Sequence, residues 1–476
     1  MTLSRRKLLA SAPATAALIV LPGCQMNGGV VDVRKFGAKG DAAADDSGAI
    51  RAAVATLRSG DTLYFPRGTY RFAQRWPPGG AAIVITGVSD AGIEFDLGAE
   101  LLMDNLDPVA KTGTSHGLLV HGPASRISLR RVKIRWAGHA KRSLGDGIRV
   151  VGYPAGAAPP TGWSGPPAPV DGIALSDCVV RASPQAGVVM LGVSGITVAG
   201  LRVADSGADG LHFNACRRAE IDDYTAVDTG DDGMALVTYF APWFSFDSTA
   251  HTFSFPSLTD WSNADFTIGH VSVIGSRANG VRIAGANRIT IRRLRVVGVR
   301  SGSAVMIDSA QPGTDVGWNY VASRAVRVDD VTATNCDTGI HLLARPSGPA
   351  DRRFTDFDVH VDHAALDDCD NWSVRAESLT AHKVRGLRLE NFTISSTSTT
   401  GGNGGVGIDK ADGISLSNIS IRHTRPVIVF TAIQAGQLAV DHLNVAIGPP
   451  GQRTASTTDG VSVEGSDGVI NGSALG

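Results

Sequence analysis

Charge imbalance is missing from this 476-residue chain: 44 Lys and Arg face 45 Asp and Glu, for a formal net charge of −1. A nucleic-acid binder normally carries a basic stripe or excess, so that class is set aside. Cysteine is scarce, five in all with no CxxC pair, which leaves a zinc site without its usual ligand spacing. Four cysteines beyond Cys24 make no disulfide framework in a chain this long, and Cys178, Cys216, Cys336 and Cys369 are expected as buried thiols. Cys336 in NCDTG and Cys369 in DCDNW stand at similar places in successive repeats. The apolar run that ends at Leu21 is too short for a comfortable membrane span. No cofactor motif is present, so no cofactor is expected, and a calcium ion among the acidic residues is left open.

What the chain does have is repetition, spelled largely in its 57 glycines. In GADGLHFNACRRAEIDDYTAVDTGDDGMAL, residues 207–236, Asp209-Gly210 and then Asp231-Asp232-Gly233 each open a short alternating run. Gly210 and Gly233 are 23 residues apart, too far for a hairpin repeat and within the spacing of stacked arrays. The phrase recurs at Gly117, Gly147, Gly187, Gly280, Ala304, Gly339 and Gly407, with a second apolar pattern such as ITVAGLRVADS between recurrences. A repeat of strands that cannot bury its own apolar face must stack on its neighbour. The expectation is an all-β fold, a single-stranded right-handed parallel β-helix (solenoid), forming one long domain over 30–476.

Taken in order, Ser4-Arg5-Arg6-Lys7-Leu8-Leu9 resembles a twin-arginine export motif, and Leu21-Pro22-Gly23-Cys24 resembles a lipobox whose cysteine is lipidated. Residues 1–23 then read as a signal peptide, Cys24 as the lipid attachment point and 24–29 as a linker. Gln25 after the cysteine resembles the sorting pattern of outer-membrane lipoproteins, so the expected location is periplasmic or cell-surface, with membrane contact through the lipid alone. Next comes a capping helix, started by Asp45 or Asp46, apolar at Ile50, Ala53, Val54 and Leu57, and ended by Gly60. Such a helix covers the open end of a stack. Residues 153–169, rich in Pro and Gly, and 238–263, rich in aromatics, leave the sheet as loops, as do 309–323, 345–355 and 396–405. From about 446 the periodicity fades into a C-terminal cover or frayed end.

The string VRKFGAKGD, DDSGAIRAAV, DTLYFPRGTYRF closely resembles the N-terminal signature of the pectate lyase and polygalacturonase superfamily of right-handed parallel β-helices. That resemblance implies the same fold and capping helix. It specifies the reaction weakly, since lyases, hydrolases, epimerases and phage tailspikes share it.

Two positions after each small residue, the strand points its side chain away from the core. That column reads Arg149, Val189, His212, Ala235, Arg282, Met306, His341 and Asp409. It is taken as a ligand groove, with Arg149, His212, Arg282 and His341 as substrate contacts, against the alternative of a merely polar face. Tyr239, Trp243, Phe244, Phe246 and Trp261 of the aromatic insert offer rings for the apolar faces of sugars, or else anchor the loop.

Asp209, Asp231 and Asp232 sit just before this column on adjacent coils about 4.8 Å apart, so three carboxyls converge. Like charges so close raise one another's proton affinity, which is what a general acid at neutral pH needs. Asp-Gly is also ordinary turn chemistry, and it recurs at Asp146, Asp171, Asp412 and Asp459. The single Asp followed one coil later by a doubled Asp resembles the catalytic triplet of polygalacturonases and related inverting hydrolases. By that resemblance Asp232 is the general acid, and Asp209 and Asp231 activate water. The sequence departs from that pattern: Gly207-Ala208 replace Asn-Thr, Gly233 replaces Cys, and Arg282-Ile283-Ala284 lacks the Lys of Arg-Ile-Lys. Gly269-His270 falls in another strand of the coil, where His270 reads as structural. Loss of the Lys points away from galacturonate.

The expected activity is therefore glycoside hydrolysis of a polysaccharide or oligosaccharide, by inversion, with acid and base roughly 6.5 to 9.5 Å apart. A polysaccharide lyase, working through a cation such as Arg149, His212, Arg282 or His341, is the rival enzyme. A non-catalytic glycan-binding protein is the third reading. Oligomeric state is left open.

Overall fold

The computed structural model describes residues 28–447 except 155, 160, 241–245, 255–261, 313–317, 346–350, 398–403 and 425–429, together with the backbone of four short strands beyond 447. The signal motif, Cys24, Trp243, Phe244 and Trp261 lie outside the described residues.

Two stacks of parallel strands form the walls of the solenoid. One is a 13-stranded sheet running from Ala81–Ile85 through Leu211–Asn214, Met234–Val237 and Val281–Ala284 to Ala455–Thr457. The other, of 25 strands, supplies the remaining faces of each coil. In early coils those faces are separate strands, Val193–Ala199 and then Arg202–Ala204; in later coils they join into one, such as Asn263–Ile274. Both sheets share one apolar interior, in which Val150, Met190, Phe213, Leu236 and Ile283 stack coil on coil at essentially zero exposure. The chain is thus a parallel β-helix.

The bends between faces are written locally. Arg126, Gly172, Gly195, Arg218, Asp265 and Arg288 all have φ between 51° and 83°, and they occupy the same corner of successive coils. Polar residues and Gly tolerate that left-handed region best. At the mouths of the 13 strands the small residue is required by crowding instead. A Cβ on Gly210 would lie 2.2 Å from the Tyr224 hydroxyl and one on Gly233 would lie 2.4 Å from Val273. The repeated phrase of the sequence is the imprint of this close approach.

The capping helix spans Ser47–Val54 and buries Ser47, Ile50 and Ala53. It stops at Ala55, a turn before Gly60. Neither Asp caps it as a pair: Asp45 Oδ1 accepts the Ser47 N–H at 3.1 Å, while the Asp46 carboxylate accepts the N–H groups of Lys39 and Gly40. All four described cysteines are free and buried.

Excursions 104–115 and 137–147 precede strands of the 13-stranded sheet, whereas others leave from the corner just past it. The latter include 152–169 after Ile148–Val151, 238–262 after Met234–Val237, 310–323 after Ser303–Ser309 and 345–355 after Thr338–Ala344. Within the second of these, Phe246–Asp247 and Thr252–Phe253 pair as a small antiparallel hairpin. No described helix is long and apolar enough to cross a membrane.

Candidate active site

Register along the outer face of the 13-stranded sheet aligns Leu119, Arg149, Val189, His212, Ala235, Arg282, Met306, His341, Arg375 and Gly407 in one column. The expected column holds as far as His341. Two corrections follow it. Arg375 belongs in the column although its strand opens with Trp372-Ser373 and no glycine. Asp409 does not belong, because Gly407 takes that place and Asp409 lies opposite Glu377, one outward position further along.

The turn residues just before this column hold one another across coils. Asp232 donates its backbone N–H to Asp209 Oδ1 at 3.0 Å. Asp232 Oδ1 accepts the Asn279 backbone N–H at 3.1 Å and its side-chain amide at 2.7 Å. Asp209 Oδ2 meets His212 Nδ1 at 2.7 Å, and the Tyr239 ring stacks on the His212 ring with centroids 5.6 Å apart. Asp231 is half-buried, its Oδ2 2.8 Å from the Arg142 guanidinium. Oxygens of Asp209, Asp231 and Asp232 lie within 4.8 Å of one another. The sequence reading thus brings its three aspartates together, tighter than the 6.5 to 9.5 Å gap it expected between acid and base.

Electrostatics separates the three. Asp232 is 3 % exposed, and burial, reinforced by the neighbouring Asp209 charge, pushes its carboxyl up to about 8. Burial and Asp209 also raise Asp231, with Arg142 opposing. Asp232, raised to about 8, carries a proton at neutral pH. No hydrogen bond reaches Asp232 Oδ2 among the described residues, so that oxygen is available to a ligand. As a cation site the triplet offers three carboxylates from two adjacent turns, but both Asp209 oxygens and Asp232 Oδ1 are already engaged in hydrogen bonds. Arg142 already stands against Asp231.

Arg282 reaches the site from the next coil but is committed. Its Nε and Nη2 form a two-pronged contact with Asp308 at 3.0 and 2.8 Å, and Nη2 also donates to the Tyr320 hydroxyl at 2.5 Å. Arg345 Nε adds a third contact to Asp308 at 3.0 Å. Burial would raise the Asp308 carboxyl, yet the two guanidiniums outweigh it and hold it below the usual range. The expected substrate-binding Arg282 is therefore a partly exposed ion-pair member facing Asp232, committed to the buried Asp308. His341, three coils past Asp232, pairs with Glu377 at 2.9 Å, and Arg375 grips the same carboxylate. It lies in the groove but away from the aspartates.

Arg149 departs furthest from expectation. It is 6 % exposed, paired with fully buried Asp146 at 2.6 Å, and its Nη1 donates to the backbone carbonyl of His251 in the hairpin at 3.1 Å. Burial works to raise Asp146, but Arg149 and His116 together hold it low. Arg149 supports a loop and meets no open groove.

Several residues of the site escaped the sequence reading. Asp308 stands two positions beyond the column on its strand, the next outward place, where a second scan would have found it with Asn214 and Glu377. Trp318, 49 % exposed, tilts against Tyr239 with ring centroids 5.0 Å apart and presents an open aromatic face. Arg142, Tyr320, Arg345 and Trp318 come from excursions, and no spacing rule signals them.

Comparison with known proteins gives the fold a context. Residues 30–77 match a family described as rhamnogalacturonase A/epimerase, pectate lyase-like. Among solved structures, the mannuronan C-5 epimerase AlgE6 A-module of Azotobacter vinelandii is 17% identical, with 90% of this chain and 99% of that one aligned, at a TM-score of 0.53. The family 28 exopolygalacturonase of Yersinia enterocolitica is 13% identical over 93% of this chain and 79% of that one, also at 0.53. The catalytic domain of a GH87 α-1,3-glucanase is 13% identical over 89% and 67%, again at 0.53. At such identities the shared property is the parallel β-helix. No curated protein matches the chain in sequence.

Proposed function

We propose that the chain hydrolyses a glycosidic bond of a polysaccharide, with Asp232 as general acid and Asp231, steadied beside Asp209, as the carboxylate that activates water. The observation that carries this reading is a buried carboxyl pushed up to about 8 with two more carboxyls within 4.8 Å. The proton on Asp232 Oδ2 passes to the glycosidic oxygen as its bond to the anomeric carbon breaks. Water loses a proton to Asp231, and its oxygen bonds to that carbon from the face opposite the departing oxygen, which inverts the configuration. Both oxygens of Asp209 are already engaged, by the Asp232 N–H and by His212, which suits a positioning carboxylate. Because the carboxyls are close, the attacking water would sit beside the cluster. The anomeric configuration of the first product, read by NMR, tests inversion.

The lyase reading is less well supported. Its cation would come from Arg149, His212, Arg282 or His341, and each is paired with a carboxylate: Arg149 and Arg282 with buried Asp146 and Asp308, His212 with Asp209 and His341 with Glu377. The fold neighbours include enzymes named for α-1,3-glucan, polygalacturonate and mannuronan, which supports a glycan substrate without choosing the sugar. Arg5-Arg6 and Cys24 support export by the twin-arginine route and a lipid anchor, with 30–476 as the working domain.

The deciding experiment uses the Cys24→Ser chain on neutral and uronate-containing glycans, following new reducing ends and the ultraviolet absorbance of unsaturated uronates. Reducing ends without absorbance, lost in Asp232→Asn, are expected. Absorbance that rises in step with the ends would assign a lyase instead. Binding that ignores Asp232→Asn, with no cleavage, would assign a binding protein.

A further inference from the structure

Outward positions of a groove floor should be wet, yet in the N-terminal coils they are dry. Leu119, Val151, Val189 and Leu191 point away from the core and are no more than 5 % exposed. They form a second apolar cluster with Phe253, packed also against Phe246 and Trp163. Trp163, from the Pro-rich excursion, meets Phe253 and Phe246 edge-on at 5.1 and 5.4 Å. Two polar ties pin the hairpin to the sheet: Arg149 Nη1 to the His251 carbonyl at 3.1 Å and Asn214 Nδ2 to the Phe253 carbonyl at 3.3 Å. Beyond the aspartates Met306 is still covered at 7 %, but the Arg282, His341 and Arg375 side chains on either side of it are 21%, 14% and 32% exposed and no aromatic hairpin lies over them among the described residues.

We propose that this hairpin and Trp163 wall off the groove at its N-terminal end, so that the site takes glycan chain ends and releases one or two sugars per cut. The inference rests on the hydrolase reading for the word cut, and on packing alone for the wall. Geometry sets the product size. Val189 lies under the wall and His212 is one coil further, a step of about 4.8 Å, about the width of one sugar ring. An internal stretch of polymer would have to pass through the apolar cluster to lie across Asp232. Opening that cluster would expose Leu119, Val151, Val189 and Leu191 together, which burial opposes strongly. The long arm of the substrate therefore runs over Arg282, Met306, His341 and Arg375.

Two measurements separate this inference from its premise. First, the Cys24→Ser chain is incubated with polygalacturonate, mannuronan and α-1,3-glucan while product size and viscosity are followed. Release of one or two sugars with viscosity almost unchanged is expected, and Trp163→Ala should shift products toward longer fragments. A ladder of mid-length fragments with an early fall in viscosity would overturn the chain-end proposal while leaving hydrolysis intact. Second, Val189→Cys is labelled with a maleimide beside Leu97→Cys, whose native side is 73 % exposed. Labelling at least tenfold slower at position 189, accelerated by Trp163→Ala, is expected whether or not any glycan is cut. Equal rates would remove the wall and overturn the proposal. Slow labelling with no cleavage would sink the hydrolase premise and uphold the closed end.

Discussion

The backbone N–H of Asp232 donates to the Asp209 side chain one coil away, at 3.0 Å. That contact is one rung of a ladder. Asn279 closes the turn above it and in turn receives the Ser303 N–H at 2.9 Å, while Asp146 receives the Ala186 N–H at 2.9 Å two coils below Asp232's partner. Turn closure and the proposed acid–base chemistry thus use the same side chains. A carboxyl that also fastens the next turn is held still, which positions a proton donor without an extra supporting residue.

Asp232→Asn should abolish hydrolysis, a loss of about 10² to 10⁴-fold in kcat for removal of the acid. Its amide oxygen can still accept from Asn279, so folding is retained. In the native chain the carboxyl is raised to about 8, so kcat/KM should fall as pH rises through that value. Stability follows the same sign. The folded state holds a proton that the unfolded chain releases near pH 4, so the Asp232 contribution erodes from about pH 4 to about 8. Asp232→Asn should therefore raise Tm at pH 7.5 while removing activity, measured by calorimetry and a reducing-end assay.

His212→Ala should lower kcat about 10 to 100-fold, the worth of about 1.5 to 3 kcal/mol for a hydrogen bond to a charged group, with KM nearly constant. The ring touches Asp209 and lies beneath Tyr239, so it positions a carboxylate. His212→Gln, which can still donate, should recover part of the loss. Steady-state kinetics on the two variants checks the split.

Arg282→Ala should destabilise the fold by about 3 kcal/mol, the lower end for breaking a buried pair, since Arg345 stays on Asp308. It also removes a positive charge that holds the Asp232 carboxyl down. The alkaline limb of the pH profile should move upward in whatever activity remains. Urea denaturation and a pH series give the two readouts.

Acid should loosen the hairpin. Burial, with His116 and Arg149 nearby, lowers His251 to about 4. A histidine kept neutral in the folded state costs stability as pH falls from about 6.5 toward 4, because the unfolded segment binds the proton first. Hydrogen exchange in 246–253 should quicken across that window while Leu211–Asn214 stays protected. His251→Phe should flatten the response.

The fold was legible because its rule is local and repeated. A small residue is forced wherever Tyr224 or Val273 crowds the strand mouth, so Gly210 and Gly233 announced the coils. The same rule missed the Trp372–Ser378 coil, where Ser373 fills the place of Gly339, and misplaced Asp409, since the register puts Gly405 rather than Gly407 at the mouth of that coil. Asp209, Asp231 and Asp232 could be grouped from one coil of spacing. The fate of Arg149 could not. What covers it arrives from His251, 102 residues along the chain, through a carbonyl contact that no pattern encodes. Asp308 was within reach of a second outward column, whereas Arg142, Trp318, Tyr320 and Arg345 depend on the path of loops.

Since several of the long excursions, 152–169, 238–262 and 310–323 among them, depart from one corner, the molecule divides labour between a barrel that is repeated and an edge that is improvised. Exchange of 153–169 or 238–262 for unrelated lengths of chain touches neither the stacked interior nor the bends, and loop length itself costs little. New preferences for sugars, or for ends over middles, can therefore arise by editing one margin of the protein. The stacked interior keeps its own packing while the margin changes what the groove admits.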